Sequence, residues 1–390
     1  MNWPAIADGT VSVAREHGGP DVHGPIDFDF SVNANACGPC PELLDALAGV
    51  DASRYPEGAY LHVREAIARL HDVDAERVVI AGSGSEFIFR MTAAIARDGG
   101  RAVSVPRHAY GDYADAAAAW GLRVRHRNAA SADGCLAHDA AEANVGAGGD
   151  TRIDPGIGSC VDSDADAGAN ANVDPDADLV WACDPSSPLG RSEPAFAHRS
   201  PIVLDCAYEP LRLSGASAWD GATRDRVWRL VSPNKALGSP GVRGAYALAP
   251  PGGERLVSSL RRMAPSWVLG AHGVAMLSAW PRSRTQQWLL SSRARLRDWK
   301  QAQLAMLRAL GWDCLDSDTP FFCARPPGSL ARDGIRPLLD ALRRDGIKLR
   351  DARSFGLDGH LRISVQPPAA RRALDAALRR LSSRVEGERA

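Results

Sequence analysis

The chain has 390 residues, 45% hydrophobic and 24% charged, which excludes a wholly disordered or fibrous protein and leaves room for two or three domains. No apolar run approaches the roughly 18 residues of a membrane span, and Met1-Asn2-Trp3-Pro4-Ala5 lacks the basic-then-apolar pattern of an export signal, so a cytoplasmic protein is expected. The net charge of −1 hides an asymmetry: residues 129–178 hold eleven acids and one base, a net of −10 against +9 for the rest. The arginines of that basic remainder are spread along helical patterns without interleaved aromatics, so neither nucleic acid nor membrane is an expected partner.

Residues 1–45, rich in Gly and Pro, are expected to form an arm. Cys37-Gly38-Pro39-Cys40 has redox or half-zinc spacing, but no second pair exists among the eight scattered cysteines, and the stretch reads as a Pro-rich loop with no metal. Short apolar runs follow at Val78–Ala81, Ala102–Val105, Leu179–Ala182, Ile202–Leu204 and Val227–Val231, each ended by Gly, Pro, Asp or Ser. Helical patterns lie between several of them, at Glu86–Arg97 and Tyr113–Trp120. That alternation predicts an α/β large domain over 46–250, with a mainly parallel sheet flanked by helices. Residues 129–178 have no aromatic and little to bury, and read as a flexible acidic insertion; the run Asp162–Gly168 misses the glycine and glutamate places of a calcium loop. Beyond residue 250 the pattern becomes long helices at Glu254–Leu277 and Thr285–Leu310, strands at Phe321–Ala324 and Leu361–Val365, and a closing helix at Ala369–Leu381. These predict a smaller α+β domain over 251–390, joined by the N-terminal arm.

Ligands of such sheets gather at the carboxyl ends of strands. After the first run comes Gly82-Ser83-Gly84-Ser85-Glu86, where glycines and a helix N-terminus make a candidate anion cradle. Asp205-Cys206-Ala207-Tyr208 follows the Ile202 run. Ser232-Pro233-Asn234-Lys235 follows the Val227 run, with Arg243 eight residues beyond the lysine.

Together with His17-Gly18-Gly19, Asp29-Phe30-Ser31-Val32-Asn33-Ala34-Asn35, Arg54-Tyr55-Pro56 and Leu361-Arg362-Ile363, these motifs resemble pyridoxal-phosphate enzymes of the aspartate-aminotransferase fold, fold type I. The branch is the one holding histidinol-phosphate aminotransferase and threonine-phosphate decarboxylase. The resemblance implies a pyridoxal 5'-phosphate cofactor and a homodimer with shared sites. Lys235 would form the internal Schiff base, Asp205 would pair with the pyridinium nitrogen, and Tyr208 would bond the ring's phenolic oxygen. Tyr110 would stack on the ring, with Tyr113 the competing choice. Gly84, Ser85, Glu86, Ser232 and Arg243 would hold the cofactor phosphate through N–H, hydroxyl and guanidinium groups, joined by Tyr55 from the second subunit. Arg362, Arg350 and His17 would bind the substrate's carboxylate or phosphate.

Two departures stand out. In Asp184-Pro185-Ser186-Ser187-Pro188, Ser187 occupies the place of the family's asparagine that donates to the ring oxygen. Cys206 replaces an acid beside the pyridinium partner. The expected activity is aminotransfer from a small phosphorylated or carboxylated amine. The alternatives are a threonine-phosphate decarboxylase-like lyase of cobalamin biosynthesis, sharing the cofactor chemistry but losing carbon dioxide, and a non-catalytic module on the same fold.

Overall fold

The computed structural model describes residues 18–21, 24, 26–127 and 173–387. His17 and the expected insertion up to residue 172, including Asp162–Gly168, lie outside the described residues. In chain order a short strand β1 (Phe28–Asp29) precedes helices α1 (Pro41–Ala48) and α2 (Leu61–His71). Then come β2 (Val78–Ala81), α3 (Gly84–Arg97), β3 (Ala102–Pro106), α4 (Asp112–Ala119) and β4 (Arg123–Arg127). Beyond residue 172 stand β5 (Leu179–Cys183), β6 (Ile202–Asp205), the short helix α5 (Gly221–Arg224), β7 (Trp228–Val231), α6 (Pro233–Ala236) and β8 (Ala245–Leu248).

These strands form a seven-stranded sheet in the order β2-β8-β7-β6-β5-β3-β4, in which only β8 runs antiparallel to its neighbours. β2, β5, β6 and β7 are buried at every residue, as strands of a sheet covered on both faces must be. Their side chains alternate between two cores: Val78, Ile80, Val180 and Ile202 on one face, Val79, Ala81, Trp181 and Val203 on the other. The large mainly parallel α/β sheet expected from the sequence is present, and the carboxyl ends of its parallel strands share one edge.

The remainder contains α7 (Glu254–Met263), α8 (Ala271–Ala279), the long α9 (Ser283–Ala309), β9 (Asp313–Cys314), β10 (Phe321–Arg325) and α10 (Arg336–Arg344). It closes with β11 (Ile347–Lys348), β12 (Arg350–Asp351), β13 (Leu361–Ser364) and α11 (Pro368–Gly387). A four-stranded antiparallel sheet, β12-β13-β10-β9, carries this half, and β1 pairs in parallel with β11. The N-terminal arm is thus sewn into the C-terminal half, with Phe28 opposite Ile347. No helix among the described residues is long and apolar enough to cross a membrane.

Three local expectations are corrected. The single helix expected at Glu254–Leu277 is two, because Pro265 forces Ala264 to an extended ψ of 138° and Trp267 turns to φ 52° before α8 starts. The acidic stretch was expected to end at Asp178, yet residues 173–178 already belong to the fold: Ala177 is buried, and Asp178 Oδ2 accepts from the Arg101 and Ala102 N–H groups at the start of β3. β4 and β8 were not expected: Arg123–Arg127 is polar because it is the sheet edge, and Ala245–Leu248 is short and small.

Candidate active site

A cavity of about 710 Å³ opens at the carboxyl ends of β2, β3, β5, β6 and β7, where the first half meets β12 and β13. Asp205, the last residue of β6, forms its floor, 7% exposed. Its Oδ1 accepts from the Ala207 N–H at 2.9 Å, and its Oδ2 accepts from the Tyr113 hydroxyl at 2.7 Å. Burial pushes the Asp205 carboxyl above its ordinary value, opposed by the Lys235 charge and by these two hydrogen bonds. Tyr113, buried and stacked on Trp181 at 4.8 Å and 7°, lines the cavity beside Asp205.

Lys235 sits in α6, which Pro233 starts immediately after β7. Its backbone is pinned by the Asn35 N–H, which donates to the Lys235 carbonyl at 2.9 Å. Its Nζ lies 5.6 Å from the centroid of the Tyr208 ring, and Tyr208 is fixed edge-on against Phe321 at 4.7 Å. Ser187 lines the same cavity, buried beside Cys183 and Asp205. Amine, carboxylate and phenol therefore converge on one wall.

The opposite corner is an anion cradle. Ser83 caps α3, accepting the Glu86 N–H on Oγ at 3.0 Å, while the Glu86 carboxylate accepts from the Gly82 N–H and pairs with Arg90. This corrects the expectation for Glu86, which does not line the cavity and whose N–H already has an acceptor; the Gly84 and Ser85 N–H groups are the ones a helix start leaves open. A Cβ on Gly84 would stand 2.8 Å from Ser232 Oγ, so glycine here lets that hydroxyl lie against the start of α3. Ser232 and Arg243 complete the cradle, Arg243 exposed and without an ion pair among the described residues. The Tyr110 hydroxyl lies 3.2 Å from Ser85 Oγ, with its ring edge-on to Tyr113. Asn33 and Asn234 also line the cavity, with both amide atoms of Asn33 and Oδ1 of Asn234 buried and unpaired. A site with a free amine, a buried carboxylate, a phenol and a tight anion corner fits pyridoxal phosphate.

Arg350 and Arg362, which also line the cavity, are cross-strand partners on β12 and β13, 3% and 8% exposed. Arg362 Nη2 donates to the Ser31 carbonyl at 2.8 Å, and Arg350 Nη2 to Ser354 Oγ at 2.8 Å. Burial lowers the Arg362 guanidinium from its ordinary value.

The structure thus brings Lys235, Asp205, Tyr208, Gly84, Ser85, Tyr110, Ser187, Ser232, Arg243, Arg350 and Arg362 to one cavity. Tyr55 is elsewhere, 77% exposed and stacked on Trp267 at 4.4 Å. Three contributors escaped sequence reasoning: the Tyr113 bond to Asp205, the unpaired Asn33, and Phe355, whose ring faces both arginine guanidinium groups. Asn33 stands inside a quoted motif and Phe355 stands between two singled-out arginines, so position alone marked both; the Tyr113 contact joins residues 92 apart and had no local signal.

The family described as aminotransferase class I and II matches residues 25–381. Over 379 residues the chain is 27% identical to histidinol-phosphate aminotransferase of Jannaschia sp. (strain CCS1), covering 92% of this chain and 93% of the relative. The crystal structure of histidinol-phosphate aminotransferase from Sinorhizobium meliloti in complex with pyridoxal-5'-phosphate superposes with a TM-score of 0.69 at 20% identity, covering 93% of this chain and 92% of that one. The crystal structure of L-threonine-O-3-phosphate decarboxylase from Porphyromonas gingivalis gives 0.65 at 20% identity, covering 91% and 99%. With a family match that spans both sheets and the cavity between them, the chain belongs to the class I and II aminotransferases, enzymes that work with pyridoxal phosphate.

Proposed function

We propose that this aminotransferase takes its amino group from a small amine bearing a phosphate or carboxylate, with histidinol phosphate the first donor to test. The observation that carries the proposal is the composition of the cavity: an amine, a buried carboxylate and two buried arginines line the same space. Bound pyridoxal phosphate supplies an aldehyde that exchanges amino groups and a ring that accepts electrons. Lys235 Nζ would hold that aldehyde carbon and, when free, would serve as the base that takes the proton from the substrate Cα. Asp205, kept in place by Ala207 and Tyr113, holds a proton at the ring nitrogen. Tyr208 donates to the ring oxygen, helped by the shorter Ser187 where a longer amide would reach directly. Tyr110 covers the ring face. The Gly84 and Ser85 N–H groups, the Ser232 hydroxyl and Arg243 hold the cofactor phosphate. Arg350 and Arg362 orient the donor through its anionic group, which fixes the bond that breaks. In this reading two copies of the chain form a homodimer, and the exposed Tyr55 serves the partner's cofactor phosphate.

The test follows the absorption of the holoenzyme while histidinol phosphate, threonine phosphate or glutamate is added and carbon dioxide is measured. Conversion to the pyridoxamine form with histidinol phosphate and without carbon dioxide is expected. Carbon dioxide release from threonine phosphate, with the aldehyde form of the cofactor regenerated, would overturn the proposal in favour of decarboxylation.

A further inference from the structure

Two guanidinium groups directly opposite each other on neighbouring strands repel. Arg350 and Arg362 are in that position, yet each points its guanidinium carbon at the same aromatic ring: both lie 5.3 Å from the centroid of Phe355. That distance is within the range of cation–π attraction, and planar guanidinium groups favour aromatic faces. Phe355 itself is 9% exposed and packed against Cys323, Ala352 and Leu357. It ends a single helical turn, Arg353–Phe355, closed by Gly356 at φ 73°. The turn is tied to the other half of the molecule, because the Phe355 carbonyl accepts from His108 Nδ1 at 2.8 Å, and His108 stands two residues before Tyr110 in the loop after β3. A carbonyl only accepts, so Nδ1 carries the hydrogen.

We infer that Phe355 is a positioning residue for the substrate's anion: its ring face sets the spread of the two guanidinium groups, and His108 locks that ring to the loop bearing Tyr110. The inference rests on the proposed role of Arg350 and Arg362 as the substrate's anion site. It adds a specificity element built from an uncharged residue, which makes no ion pair and is matched to an anion that spans both arginines.

The probe is inorganic phosphate titrated into the holoenzyme by calorimetry, the cofactor already filling its own phosphate cradle. Phe355→Leu keeps an apolar side chain and removes the π face, whereas Phe355→Tyr keeps the face. Phosphate affinity should fall about tenfold in the leucine variant and stay within about twofold in the tyrosine variant, with cofactor affinity unchanged in both. Arg362→Gln should abolish phosphate binding. If Phe355→Leu binds phosphate like the unmodified protein while Arg362→Gln does not, or if Phe355→Tyr is weakened as much as Phe355→Leu, the inference about the ring is overturned and the anion site stands. If Arg362→Gln leaves phosphate affinity unchanged, or the unmodified holoenzyme takes up no phosphate, the anion site itself falls. Should Phe355→Leu also lose the cofactor, His108→Ala carries the test: it removes the tie to the Phe355 carbonyl and releases the turn that carries the ring, so phosphate affinity should fall several-fold with both arginines still present, and an unchanged affinity overturns the inference.

Discussion

A buried carboxylate keeps its charge only through its partners, and Asp205 has three: the Lys235 charge, the Tyr113 hydroxyl and the Ala207 N–H. Of these the Tyr113 bond is the one a side-chain change removes without touching the amine or the backbone. A hydrogen bond to a charged group contributes about 1.5–3 kcal/mol, which corresponds to roughly one to two pH units. Tyr113→Phe should therefore raise the Asp205 value further, so that on acidification the carboxylate is neutralised at higher pH. The check is a pH titration of the cofactor's absorption in the holoenzyme, expected to move to higher pH, with about a tenfold loss of kcat. An unmoved titration would show that Tyr113 only fills space. Cys206 shows the complementary case. Its thiol, 1% exposed, is turned to the Leu204 carbonyl behind the strand and pushed up by burial, so the departure noted in the sequence falls outside the cavity wall.

Helix α2, which the sequence did not announce, is anchored through its last residue. His71 Nε2 lies 2.7 Å from the Tyr246 hydroxyl in β8, and Trp280, just beyond α8, donates its indole N–H to the same oxygen at 3.0 Å. An indole only donates, so Tyr246 accepts from Trp280 while its hydroxyl also shares a hydrogen bond with His71 Nε2. Burial first, and then the Arg229 and Arg224 charges, lower His71 from 6.5 to about 4. Between those values the unfolded chain binds the proton and the folded one does not. Stability therefore rises with pH across that window and is lost as pH falls from 6.5 towards 4, by up to about 3 kcal/mol. His71→Asn should show a flatter dependence of the urea midpoint on pH between 7 and 4.5, and a slope equal to that of the unmodified protein would refute the assignment. The element-scale misses share a cause. α2, β4 and β8 are specified by long-range partners, His71 with Tyr246 and β8 with β2 and β7, whereas the runs that were legible carry their own continuous apolar signature. The Glu86 N–H is a different miss: Ser83 three residues before Glu86 is a capping-box spacing that local reasoning can read.

At the scale of the whole molecule, the sequence made the Lys235 wall of the cavity readable because Asp205, Lys235 and the Gly84 turn each stand at or just after the end of a buried strand, so their positions come with the sheet. What joins that wall to Arg350, Arg362 and Phe355 is the packing of two sheets, and no local pattern records it. Tyr55 extends the same point beyond one chain. It is absent from its own cavity, 77% exposed, and its ring is held by Trp267, whose Nε1 donates to the Pro56 carbonyl at 3.1 Å. An exposed aromatic ring stacked in a fixed orientation is what a shared site between two copies would use. The proposed homodimer then gives an arithmetic that monomers cannot reproduce. Tyr55→Ala and Lys235→Ala are each expected to be deficient, the second completely. In a hybrid of the two, one site has an intact Lys235 and receives an intact Tyr55 from its partner, while the other site has neither. Equal mixing with free subunit exchange makes about half of the dimers hybrid, so about a quarter of all sites should be restored. Aminotransfer at that level above the sum of the separate variants is the expected result. Activity that never exceeds that sum, with exchange verified by mass-tagged subunits, would mean that Tyr55 serves its own chain or none.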